Sequence, residues 1–208
     1  MSQRYVRGFH GTTRSSAAAL IQSVEVPKLS ERAGNWLGNG FYFFEEYLEM
    51  ASSWPLEQVS LRARLGWFDS PAVLVADIEL SDCADLCMPT WHAALSAMAQ
   101  GLSKSGSLPQ QFGPELESAG GKLFNVEDYT VAARPGLDPL DHFADAAAIN
   151  ALVEDLVASG QSVSSVRAAF TAGAQSFPNS HLFRDTHIQI AVRDPARVIR
   201  DLRLIPPA

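Results

Sequence analysis

Strand-forming runs lie at both ends of this 208-residue chain, and a helix-forming block separates them. The runs are residues 5–10, 41–44 and 72–80 on the N-terminal side, then 186–192 and 197–205 at the other end. Each is rich in aromatic or β-branched residues, and turn formers such as Asp69-Ser70-Pro71 and Asp194-Pro195 punctuate them. Between and within these runs, periodicity and capping residues predict helices. One starts at Thr13 or Ser15 and takes in residues 17–21; another starts near residue 45, with Pro55 as a kink or break. Asp82 is placed to cap a short helix, and further helices are predicted over 91–102, 141–158 and 164–172. Residues 103–140, rich in Ser, Gly and Pro, predict long loops. Strands, then helices, then strands describe an α+β domain in which a helical insertion, about residues 88–175, precedes the last strands of a split β-sheet.

The length fits one domain spanning 1–208, since single cores usually run to roughly 100–200 residues. With 47% hydrophobic and 19% charged residues, the chain can bury a sizeable core. A net charge of -7 lacks the broad basic footprint of a non-specific nucleic-acid binder. The arginines at 184, 193, 197, 200 and 203 read as a solvated strand edge. Cys83 and Cys87 make no disulfide framework, and with His92 they have poor zinc spacing, so a reducing compartment and no metal are expected. No stretch reaches the roughly 18 apolar residues of a membrane span. The chain reads as soluble and cytoplasmic, a profile that a translocated effector would share.

Two short patterns carry chemistry. One is His10-Gly11-Thr12 at the end of the first strand; the other is Trp36-Leu37-Gly38-Asn39-Gly40-Phe41-Tyr42-Phe43-Phe44, followed by Ala51 and Trp54 at helical spacing. A third, His187-Ile188-Gln189-Ile190-Ala191-Val192, lies near the C-terminus. Taken alone, His-Gly-Thr could fall in any turn, and a tyrosine in an aromatic run is usually core. In this order, the three patterns resemble those of the ADP-ribosyltransferases, whose fold is shared by diphtheria toxin and the poly(ADP-ribose) polymerases. The resemblance covers about the first 80 residues and the last 30.

That resemblance implies NAD as co-substrate. His10 would hold a ribose hydroxyl, and Gly11 would offer its backbone to the nicotinamide carboxamide, flanked by Thr12. Tyr42, aimed by Gly38 and Gly40, would stack on the ring. The family's second stacking aromatic lies eleven residues after the first, which here falls on Ser53, with Trp54 next to it. The family's third catalytic residue is a glutamate, and Gln189 stands in its place; an amide can hold a hydroxyl but cannot take a proton. Processive chain building is therefore not expected, whereas single transfer is, with the acceptor or His187 supplying a base. Some mono-transferring relatives also lack the glutamate. Phe183, Arg184, Asp185 and His187 fall where the family touches its acceptor, here a protein or single-stranded nucleic acid. Compact relatives are often toxins, which implies an antitoxin or immunity partner. The same resemblance leaves open an NAD glycohydrolase, an RNA 2′-phosphotransferase and an inactive NAD-binding pseudoenzyme.

Overall fold

The computed structural model describes residues 4–22, 27–31, 35–64, 69–109, 142–171 and 173–206. The elements, in order, are strand β1 (Tyr5–Thr13), helix α1 (Arg14–Ile21), β2 (Phe41–Glu45), α2 (Leu48–Arg64), β3 (Pro71–Glu79) and β4 (Cys83–Asp85). There follow α3 (Pro89–Lys104), α4 (Phe143–Ala158), β5 (Ser165–Phe170), β6 (His187–Val192), the short α5 (Pro195–Val198) and β7 (Ile199–Leu204). All seven strands form one mixed sheet in the order β4-β5-β6-β2-β1-β3-β7, antiparallel except for β4 with β5. The fold is thus α+β. Among the described residues, no helix is long and apolar enough to cross a membrane.

Alternation along β2 divides the core in two. Phe41 and Phe43 join Ala76, Ile78, Ile190, Val192 and Val198 on one face, and α1 covers the same side through Ala17 and Leu20. Tyr42 points to the other face, where Leu37, Ala191, Val166 and Leu86 pack beneath Ile149 and Val153 of α4. Thr13 ends β1 and caps α1, its side chain accepting the Ser16 N–H.

Three local expectations change, and a fourth, at Pro55, loses one of its two alternatives. Residues 165–170 form strand β5, not a helix, so the inserted block is not helical throughout. The alanines at 168 and 169 favour helix, but alternation sends Val166 under α4 while Arg167 meets carboxylates on the opposite face, and this packing overrides propensity. Beyond Asp82 lies β4, drawn into parallel pairing with β5, not a short helix. Helix α2 continues through Pro55. The turn after Asp194 winds into α5, capped by the Asp194 side chain, before β7 begins at Ile199. Most of the expected 103–140 loop region lies outside the described residues.

One buried ion cluster ties the sheet together. Arg167 on β5 grips Glu45 at the end of β2 through Nε (2.5 Å) and Nη2 (2.7 Å), and its Nη1 reaches both Asp85 oxygens (3.0 and 3.1 Å). Arg4 approaches Asp85 from the surface side (3.5 Å). With Arg167 only 7% exposed, truncation leaves two carboxylates without their main partner. Arg167→Ala is therefore expected to lower the unfolding free energy by about 3–5 kcal/mol in urea titration. Arg203→Ala, which removes the exposed pair with Asp201, should change it by less than about 1 kcal/mol.

Candidate functional site

Strands β1 and β2 pair only briefly. The Arg7 carbonyl accepts the Glu46 N–H, Gly8 lies opposite Glu45, and the register ends at Phe9 opposite Phe44. The next exchanging pair would be Gly11 with Tyr42, and it does not form. Instead, the His10 imidazole donates its Nδ1–H to the Tyr42 carbonyl at 2.7 Å, filling the acceptor that the Gly11 N–H would have used. A carbonyl only accepts, so this bond fixes the tautomer with the proton on Nδ1.

The other neighbour of Gly11 does not take up its peptide groups either. Gly11 faces Val73 on β3, and the Val73 carbonyl points the opposite way, to the Ile205 N–H at 2.9 Å. Opposed residues in an antiparallel ladder turn their polar groups the same way relative to each other, both inward or both outward. The Gly11 N–H and C=O therefore point into the gap that opens between β1 and β2. Gly11 must be glycine because α2 lies against it: an added Cβ would overlap the Ala51 carbonyl and the Pro55 ring. Pro55 has no N–H, so that Ala51 carbonyl lacks its usual donor one turn on.

The His10 ring lies 4.1 Å from Phe41 and 5.8 Å from Phe43, between centroids, on the face of the sheet away from Tyr42. Burial pushes its pKa down to about 4, against the opposing pull of the Tyr42 carbonyl. At neutral pH the ring is uncharged, with a lone pair on Nε2.

Tyr42 is anchored to its own loop. Its hydroxyl donates to the Gly38 carbonyl (2.5 Å) and accepts the Leu37 N–H (3.0 Å). Gly38 has φ +69°, in the left-handed region, and a Cβ there would collide with Asn150. Burial raises the Tyr42 pKa, only partly offset by the Leu37 N–H and the Arg193 charge. Gly40 bridges Ser30 and packs closely on Ala191.

Gln189 is buried opposite Phe44 across the β2–β6 ladder, one step diagonally from Tyr42, which faces Ala191. Its amide nitrogen meets His187 Nε2 at 2.8 Å, while His187 Nδ1 donates to the Asp185 carbonyl at 2.7 Å. The carbonyl again fixes the tautomer: Gln189 donates, and His187 Nε2 accepts. Both ring nitrogens of His187 are thus engaged, which conflicts with its expected role as a base. Around His187 stand Phe44 (5.3 Å), Trp36 (5.9 Å), Phe170 (6.0 Å) and Tyr47 (6.5 Å), all centroid distances.

The structure therefore places Gly11, Tyr42 and Gln189 on one face of the sheet and the His10 ring on the other, linked to Tyr42 through its main chain. Among the described residues, no hydrogen bond or ring contact joins His10 to Gln189. Thr12 sits beyond the gap opposite Ala72. The Ser53 hydroxyl donates back to the Met50 carbonyl (3.0 Å), and the Trp54 side chain lies outside the described residues. Phe183 bridges Gln175, Arg184 donates its N–H to the Ala174 carbonyl, and the Asp185 side chain packs over Gly173, so these three belong to one ordered arm. Phe177 and Leu182 are strongly exposed on that arm. Sequence reasoning missed Phe170, Asn150 and the aromatic ring around His187, since only tertiary pairing brings them together; Trp36 was visible in the aromatic motif. No protein-family model matches the chain, and neither a curated protein nor a solved structure was found similar to it.

The depressed His10 pKa sets a pH dependence. Between pH 6.5 and about 4, the unfolded chain takes up a proton at position 10 that the folded chain refuses, so stability falls as pH is lowered through that window. At about 1.4 kcal/mol per pKa unit, the effect is on the order of 3 kcal/mol. His10→Gln should flatten this part of the pH–stability curve in chemical denaturation; an unchanged slope would show that His10 is not its source.

Proposed function

We propose that the chain is an NAD-dependent mono-ADP-ribosyltransferase acting on a macromolecular acceptor. One observation supports this most: toward the end of β1, the Gly11 N–H and C=O turn to the side where, among the described residues, the β1–β2 register has already ended, beside an uncharged His10. A donor and an acceptor on one residue suit a planar primary amide, which offers the reverse pair. Nicotinamide carries such an amide. His10 lies on the opposite face, so its Nε2 would accept from a ribose hydroxyl only where the sugar reaches through the gap between β1 and β2, and there it places no positive charge beside the cationic ring.

Tyr42 lies on the same face as Gly11 and supplies an aromatic wall held by its loop. Gln189 uses its amide N–H on His187, which leaves Oε1 to accept a sugar hydroxyl. NAD supplies an activated glycosidic bond: the bond to nicotinamide breaks, one to the acceptor's nucleophilic atom forms, and nicotinamide leaves uncharged. The acceptor proton must pass to the acceptor's own surroundings or to solvent, because Gln189 cannot take it and His187 is engaged. This favours single transfer over chain growth. The same engagement of Gln189 supports the second reading, an NAD-binding pseudoenzyme.

Incubation with NAD labelled in its adenylate portion, together with a cell extract, tests the proposal. Released nicotinamide with label on macromolecules is the expected result. Free ADP-ribose alone would mean hydrolysis, and no nicotinamide release would leave only the pseudoenzyme. His10→Ala should reduce nicotinamide release about 10- to 100-fold, as loss of one or two hydrogen bonds at the reacting sugar implies. Normal turnover in His10→Ala would remove this residue from the site.

A further inference from the structure

Three features lie outside the proposed chemistry. The ring of aromatics about His187 consists of side chains packed against one another, and the Arg167 cluster is closed on itself by its carboxylates. The third reaches the proposed NAD pocket from elsewhere in the fold: Asn150, at the middle of α4, bonds the loop that holds Tyr42.

Asn150 Oδ1 accepts the Asn39 N–H at 2.9 Å and Arg193 Nη2 at 2.8 Å. Its Nδ2 points back to Asn39 Oδ1 at 3.4 Å, and the same Arg193 Nη2 reaches the Leu37 carbonyl at 3.3 Å. Residues 37–39 are therefore held from two sides, by α4 and by the end of β6. These residues are also the ones that fix the phenol, since Leu37 N–H and Gly38 C=O are both partners of the Tyr42 hydroxyl. Gly38 has no room for a side chain because Asn150 Oδ1 and Arg193 Nη2 occupy the space. A loop with a left-handed residue is locally free to adopt other turns; the amide of Asn150 selects one.

We infer that Asn150 is a positioning residue for the proposed NAD site, setting the Tyr42 ring through the 37–39 loop. The inference rests on the reading of Tyr42 as the nicotinamide wall. Asn150 touches no reacting atom; it acts on how well the wall is placed before NAD arrives, so its removal weakens binding more than it slows the bond-breaking step. Arg193 shares the task, and the acceptor oxygen carries more of it than the donor nitrogen: Oδ1 accepts from two nitrogens at under 3 Å, whereas Nδ2 makes one longer contact.

Two measurements on Asn150→Ala and Asn150→Asp test this, and the first does not depend on NAD. With ring-labelled tyrosine, the Tyr42 resonance, assigned through Tyr42→Phe, should shift or broaden in Asn150→Ala and stay near its wild-type position in Asn150→Asp, which keeps the acceptor oxygen. An unmoved Tyr42 resonance in Asn150→Ala overturns the inference whatever the protein's activity. In the second, Asn150→Ala should raise KM for NAD about tenfold, with kcat within about twofold, and Asn150→Asp should restore KM. A loss of thermal stability in Asn150→Ala with KM unchanged would show a structural role only. If wild-type protein releases no nicotinamide, the proposed function fails while the resonance measurement still decides the positioning role.

Discussion

The short bond from the His10 imidazole to the Tyr42 carbonyl governs the middle of this sheet. A continuous ladder would have closed β1 against β2 with the Gly11 N–H on that same carbonyl. By filling the acceptor from a side chain, the protein ends the pairing without leaving a buried carbonyl unsatisfied. The N–H and C=O of Gly11 then face the side on which the ladder has ended. The opening exists because one side chain replaces one main-chain donor.

The surroundings keep that opening in place. Pro55 and Ala51 of α2 press on Gly11 and forbid any side chain there. At the other end of β2, Arg167 clamps Glu45 to Asp85, so the strand that carries Tyr42 is fixed at the residue that lies opposite Gly8. Glu46 follows with φ 51° and returns its side chain to the Arg7 N–H at 3.2 Å, reinforcing the closed part of the seam. A tight clamp beside an open gap is a rigid arrangement, suited to holding ligand groups without reorganisation.

Much of the framework was legible in the residues. Aromatic and β-branched runs marked β1, β2, β3, β6 and most of β7, and the Thr13 cap and the apolar period of residues 143–158 marked α1 and α4. Strand β5 was not legible, because its alanines speak for helix and only its place between β4 and β6, with Arg167 meeting Glu45, makes it extended. Pro55 was read as a kink or a break, and α2 runs on through it, so the break does not occur. At the site, motif order pointed to residues 10, 11, 42 and 189. The bond from His10 to the Tyr42 carbonyl, and the main-chain groups of Gly11 left facing β2, depend on where β1 and β2 separate. No spacing rule encodes that point.

The tautomer of His10 has a further consequence for selectivity. With its single proton committed inward, the ring offers incoming molecules nothing but an electron pair. Phosphate oxygens, carboxylates and ketones, which bring electron pairs of their own, would be repelled from this nitrogen, while alcohols and amines are welcomed. Position 10 thus distinguishes chemical groups by whether they carry a hydrogen to give.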